Sequence, residues 1–349
     1  MLDKIKTIYS QLISVRKSSA ENYFDMLDGW RGLSILFVLA AHLLPLGPKV
    51  FRLNETAGPI GMALFFTLSG FLITNFLIHR PNLKNFIIRR FFRIVPLAWL
   101  YLIIAMPILG ASLEYYPDHF FFYANWPAEG ATHLSFAKGT SHFWSLCVEM
   151  QFYVGIAVLF FVMREKSWLV IPVLCVLITL YRVSDGVHIA INTYYRIDEI
   201  LVGAVVALAY NDKIGSWLPA LFKQVNPYYM MALLLISCHP DSGFMNYFRP
   251  YFAATLVAST LYNSSPRLSS FLNLNVLVYL ASISYALYVI HPLLAHTWLG
   301  SGETLEKYAK SPMLLIILFV LAHISTFYYE KYWIGLAKKL TSKKITSQN

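Results

Sequence analysis

Charge is what this chain has least of. Asp, Glu, Lys and Arg make up 13% of its residues, hydrophobic residues 57%, and mean hydropathy is +0.55. Together these values exclude an ordinary soluble globule. Cysteine is scarce too: Cys147, Cys175 and Cys238 lie far apart in apolar runs, without the spacing of metal ligands or of a disulfide framework. Long linkers, low-complexity tracts and internal repeats are missing, so the chain reads as one membrane domain with small tails. Residues 1–24 are polar, amphipathic and basic. They lack an apolar stretch followed by a small-residue cleavage site, so no cleavable signal is expected.

What the chain has instead is apolar runs joined by short polar segments. They fall at about 30–48, 58–79, 93–111, 144–163, 168–181, 196–211, 228–238, 250–263, 277–298 and 312–333. Several are shorter than the roughly 20 residues a perpendicular helix needs. The stretch 112–126 is aromatic but carries Glu114, Pro117 and Asp118, and reads as an interfacial or re-entrant piece rather than a span. With the N-terminus inside, all but eight of the 28 Lys and Arg fall on the cytoplasmic side, the exceptions being Lys49, Arg52, Lys138, Arg182, Arg196, Arg249, Lys307 and Lys310. The positive-inside rule therefore predicts an all-α polytopic bundle of about ten transmembrane helices, N-in and C-in. Its parts are a cytoplasmic amphipathic tail (1–24), a membrane domain (25–335) and a basic cytoplasmic tail (336–349). The net charge of +10 then lies mostly at the inner leaflet, where it suits anionic lipid headgroups rather than nucleic acid.

A few polar residues are not explained by topology. Arg31 and His42 stand eleven residues apart in one apolar run, about three helical turns, so they project from one face roughly 16 Å apart along the axis. Intramembrane ionisable groups are functional candidates by default. Arg31 could be a snorkelling anchor at the inner boundary, but His42 is too deep for that. A histidine in a protected polar site suits general-base work on a hydroxyl. Asp28 is one turn before Arg31, within ion-pair reach. Arg90 and Arg93 share a face before an apolar helix, and guanidinium forks suit phosphate oxygens. Glu149 is placed by the topology in the outer half of its helix, at a depth comparable with His42, where the two could form an acid–base pair. Arg196 and Asp198 read as structural pairing at an outer helix end. Ser69 with Gly70 permits close helix approach, and His291, before the kinking Pro292, reads as structural.

These blocks are Leu27-Asp-Gly-Trp-Arg-Gly-Leu33 through His42, Leu64-Phe-Phe-Thr-Leu-Ser-Gly-Phe-Leu-Ile-Thr74, Arg90-Phe-Phe-Arg-Ile-Val-Pro96, His142-Phe-Trp-Ser-Leu-Cys-Val-Glu149, Arg196-Ile-Asp198 and Ile283-Ser-Tyr-Ala-Leu-Tyr-Val-Ile-His291. In this order they resemble the acyltransferase 3 family, bacterial membrane enzymes that O-acylate cell-envelope sugars and other hydroxylated acceptors. The resemblance covers about residues 24–335. It maps the family's Arg-x10-His onto Arg31 and His42, its Arg-x-x-Arg onto Arg90 and Arg93, and its Trp-Ser-Leu-x-Val-Glu onto Trp144 to Glu149. The usual second acidic residue after that glutamate is Met150 here, which shifts the weight to Glu149. The chain ends at Asn349 without the esterase-like domain some members carry, so any second transfer component is expected to be a separate protein.

The expectation is transfer of an acyl group, most simply acetyl, from cytoplasmic acyl-CoA to a hydroxyl of a lipid-linked or nascent glycan such as O-antigen, capsule or exopolysaccharide, in a bacterial inner membrane. Acetyl-CoA is then a substrate, and no permanently bound cofactor or metal is expected. Arg90, Arg93 and Arg31 would hold the donor, with His42, Glu149 and Arg31 as catalytic candidates. Asp28, Ser69, Trp144, Ser145, Tyr153, Arg196 and Asp198 would support them. The rival reading is a secondary transporter using the same charges, against which no paired half-segments suggest inverted repeats. A purely structural envelope protein leaves His42 unexplained.

Overall fold

The computed structural model describes residues 25–126, 136–263 and 265–342; the expected N-terminal tail and the last residues of the basic C-terminal tail lie outside these. Among the described residues the chain is all-helical, with no strand. The longer helices are α1 (Asp25–Leu43), α2 (Leu53–His79), α3 (Leu83–Ile108), α4 (Phe143–Met163), α5 (Ser167–Ser184), α6 (Asp198–Tyr210), α7 (Pro227–Cys238), α8 (Arg249–Tyr262) and α9 (Asn275–Ala295). α10 (Thr304–Ile324) continues through a π-helical turn, Ser325–Glu330, into Lys331–Thr341. Each apolar run thus became a helix. The last one extends into the expected tail, where Arg89 Nε donates to Thr341 Oγ1 at 2.9 Å and ties it to α3.

Among the described residues, six helical runs are long and apolar enough to cross a membrane: α1, α2, α3, Phe143–Ser184, α9 and Thr304–Thr341. This is a multi-pass membrane protein. The expected count of about ten transmembrane helices is not confirmed. α6, α7 and α8 have 13, 12 and 14 residues, about 20 Å each at 1.5 Å per residue, short of a hydrocarbon core of roughly 30 Å. The run Phe143–Ser184 does not continue straight. Arg164 adopts φ 50°, and Ser167 Oγ donates to the Leu159 carbonyl at 3.1 Å. Eight residues of unbroken helix would part those groups by about 12 Å, so the chain turns sharply between α4 and α5. The stretch 112–126 forms no span, only a 3-10 turn and the five-residue helix Tyr116–Phe120, with Trp99 Nε1 donating to the Phe120 carbonyl at 2.9 Å.

α2 is the axis of the bundle, packed between α1 and α6, and 83% of its apolar window is buried against 22% for Thr304–Thr341 at the periphery. Small residues allow that closeness. A Cβ placed on Gly70 would stand 1.9 Å from the Ile200 carbonyl oxygen, and one on Gly203 2.1 Å from that of Thr67. α2 and α6 thus meet backbone to backbone at two reciprocal glycines, as helices do where lipid supplies no hydrophobic drive.

Candidate active site

α1 carries Arg31 and His42 into two different cavities. Its C-terminal carbonyls are capped from the next helix: Asn54 Nδ2 donates to the carbonyls of Ala40, Ala41 and Leu44 at 3.3, 3.0 and 2.7 Å. This satisfies acceptors that a helix end leaves open and fixes the turn that holds His42.

The first cavity, about 270 Å³, lies toward the end of the bundle where α1 begins and is lined by Arg31, Ser69, Arg90, Arg93, Glu149 and Tyr153 among others. Asp28 pairs with Arg31 at 3.5 Å, as its spacing predicts. The Arg90 guanidinium sits 5.8, 5.9 and 5.8 Å from the ring centroids of Phe76, Phe86 and Tyr153. Its Nε is buried without a hydrogen-bond partner. Ser69 Oγ and Tyr153 Oη both donate to Glu149 Oε1, Tyr153 at 2.5 Å. Three arginines line the cavity with Glu149, while Asp28 and Glu330 attend Arg31 and Arg93; guanidinium forks gathered in this way suit phosphate oxygens. Behind Arg93, the buried Glu330 of the π-helical turn is an electrostatic neighbour, accepting from Thr326 Oγ1 at 3.0 Å.

The second cavity, about 780 Å³, lies toward the opposite end and is lined by His42, His142, Trp144, Arg196, Tyr288 and His291 among others. His42 is exposed into it. Its Nδ1 lies 2.9 Å from the Val38 carbonyl, one turn back, and can only donate there. That bond fixes the tautomer and leaves the Nε2 lone pair as the basic site. The His291 ring centroid is 5.2 Å from that of His42, and its Nδ1 donates in the same way to the Tyr288 carbonyl at 2.7 Å. His142 lies 5.6 Å from His291.

An aromatic pair separates the two spaces. Phe65 lines the first cavity and stacks on Tyr288 of the second, with centroids 6.3 Å apart and planes within 8°. Tyr288 Oη is held by Ser145 Oγ at 2.5 Å and donates to the His142 carbonyl at 2.8 Å. Ser145 therefore acts on the partition.

Glu149 and His42 do not pair. Hydropathy alone puts them at one depth, because it starts the helix at the membrane surface. In the fold, Thr140, His142 and Phe143 are already buried, and α4 starts at the level of the His42 cavity. Seven residues beyond His142, Glu149 lies about 10 Å deeper, among the arginines. Arg196 and Asp198 do not pair with each other either. Arg182 binds Asp198 at 2.5 Å, while Glu199 takes Arg196 at 3.3 Å and Arg249 at 2.8 Å, all buried. Arg182, Arg196 and Arg249, counted above as outer-loop charges, are thus core residues. His142 and Tyr288 were not singled out, and His291 was read as structural. The signal available was that each sits in a conspicuous polar-aromatic block.

A family model described as an acyltransferase domain matches residues 24–331. The chain belongs to the acyltransferase 3 family. Peptidoglycan O-acetyltransferase OatA of Listeria monocytogenes is 29% identical over 157 residues, covering 39% of this chain and 24% of that protein. O-acetyltransferase OatA of Staphylococcus aureus strain NCTC 8325 is 24% identical over 329 residues, covering 79% and 51%. A putative O-acetyltransferase of S. aureus strain COL is 25% identical over 319 residues, covering 77% and 50%. The chain spans about half the length, or less, of these curated relatives. No solved structure matches it.

Proposed function

We propose that this acyltransferase moves an acetyl group from cytoplasmic acyl-CoA to a glycan hydroxyl on the other side of a bacterial inner membrane. One observation carries the reading: a single helix, α1, presents Arg31 to an arginine-rich cavity and His42 to an imidazole-rich one. The printed names of the relatives, O-acetyltransferases and among them a peptidoglycan enzyme, support the acyl group and the acceptor class.

In this reading Arg90, Arg93 and Arg31 bind the donor's phosphates, and the thiol arm of coenzyme A threads past the Phe65–Tyr288 stack. The acceptor hydroxyl gives its proton to His42 Nε2 as its oxygen attacks the thioester carbonyl. The C–S bond then breaks and the thiolate takes the proton back from His42, leaving ester and free coenzyme A. Glu149 is the counter-charge that keeps Arg90 and its neighbours in place, through Ser69 and Tyr153, rather than the partner of His42. Transfer across the bilayer supports an N-in, C-in orientation, with the arginine cavity facing the cytoplasm.

Purified protein in proteoliposomes, given radiolabelled acetyl-CoA and a glycan acceptor, is expected to deposit label in the glycan. His42→Ala is expected to abolish this at unchanged protein level and thermal midpoint. Retained transfer in that variant removes His42 from the chemistry. Uptake of acceptor or donor without covalent transfer turns the assignment to a transporter.

A further inference from the structure

The second cavity holds more than a general base requires. Besides His42, its lining includes three further imidazoles (His142, His291 and His296) and two fixed cations, Lys307 and Arg196. The one carboxylate among the described lining residues, Glu55, is already bound by Arg52 at 2.5 and 3.2 Å. Arg196 is the notable member. It is 2% exposed, and its guanidinium lies 5.1 Å from the Trp144 ring centroid. The buried ion cluster does not satisfy it. Three arginines (Arg182, Arg196, Arg249) face two carboxylates (Asp198, Glu199), and Glu199 Oε1 accepts from Arg249 Nε at 2.9 Å. Arg196 keeps only a 3.3 Å contact from Nε, and its Nη1 has no hydrogen-bond partner. Both ring nitrogens of the buried His142 also lack one. A buried, unpartnered guanidinium donor is costly, and its cost is relieved when an anion occupies the cavity.

We propose that Arg196, on its Trp144 platform, forms with His142 an anion subsite of this cavity, and that the acceptor carries a carboxylate or phosphate close to the hydroxyl that is acylated. This rests on the acyl-transfer reading above and narrows its acceptor to an acidic glycan. The planar fork suits either group, and a hydrogen bond to a charged partner in a dry site is worth tenfold or more in affinity.

The test compares transfer to a neutral hexose oligosaccharide, its hexuronic-acid counterpart and its phosphate-bearing counterpart, in phosphatidylcholine vesicles. Wild-type kcat/KM is expected to be at least tenfold higher for one or both anionic acceptors, the difference lying in KM. Arg196→Gln is expected to collapse that ratio and Arg196→Lys to restore part of it. A wild-type ratio near one, or an Arg196→Gln variant that lowers transfer to all acceptors by the same factor, overturns the subsite. Should the variant fail to fold, the wild-type protein decides: free glucuronate or glucose 1-phosphate is expected to inhibit at concentrations where glucose does not, and equal inhibition overturns the proposal. Adding phosphatidylglycerol is expected to leave the preference intact; its loss assigns the subsite to a lipid headgroup and overturns the acceptor assignment. Absence of transfer to every acceptor, the neutral one included, sinks the underlying acyl-transfer reading instead.

Discussion

Arg90 offers the sharpest separation of binding from architecture. Its guanidinium is enclosed by three aromatic rings at 5.8 to 5.9 Å, and its Nε is buried without a partner. If it binds a donor phosphate, replacing it removes at least one charge-assisted hydrogen bond, worth roughly 1.5–3 kcal/mol. At 1.36 kcal/mol per decade that is roughly 10- to 150-fold. Arg90→Gln is therefore expected to raise KM for acetyl-CoA by that factor. Arg90→Lys keeps the charge but loses the fork and the flat stacking surface, and is expected to fall between. The control is the donor itself. S-acetylpantetheine has the same thioester and arm but no nucleotide phosphates, so its KM, already high, is expected to be nearly the same in both variants and wild type. Steady-state rates with both donors measure this directly. An equal rise in KM for both donors would refute the assignment and make Arg90 an architectural residue that holds α3 against α4.

Two further perturbations probe the scaffold. Asp198→Asn strips Arg182 of its buried partner at 2.5 Å, and breaking one half of such a pair costs roughly 3–5 kcal/mol; denaturant unfolding in micelles is expected to show that loss, and an unchanged midpoint would mean Arg182 finds other company. Gly70→Ala puts a Cβ 1.9 Å from the Ile200 carbonyl oxygen, so α2 and α6 must part at an overpacking cost of roughly 1–3 kcal/mol. A lowered thermal midpoint is expected, with activity falling further because Ser69 next door carries the bond to Glu149; an unaltered midpoint would show that the helices separate freely.

Helical periodicity made the elements and the same-helix geometry legible. Arg31 and His42 do share a face, and Asp28 does meet Arg31. Periodicity is silent about which helices face each other and where each begins relative to the bilayer. That is why Glu149 was paired with the wrong partner: burial of Thr140, His142 and Phe143 sets the start of α4 inward by a distance no hydropathy profile records. The arginines at 182, 196 and 249 misled for a related reason. In sequence they flank apolar runs, as anchors do, whereas in the fold two carboxylates from the start of α6 draw them inside. The imidazole cluster required three chain segments to converge, His42 from α1, His142 before α4 and His291 from α9, a long-range coincidence invisible to local spacing.

The ions gathered at the start of α6 also constrain how the chain enters a bilayer. α6 has only 13 residues and opens with two carboxylates, α5 ends near Arg182, and α8 opens with Arg249. All of these charges are buried in the fold, and a buried pair that lacks one partner costs roughly 3–5 kcal/mol, so none is compensated until its partner segment is in place. These segments must therefore leave the translocation machinery as a set, with Arg182 waiting for an aspartate made sixteen residues later. Synthesis of this protein is thus expected to proceed through a stage in which α5 lingers beside the translocon until α6 and α8 have followed it.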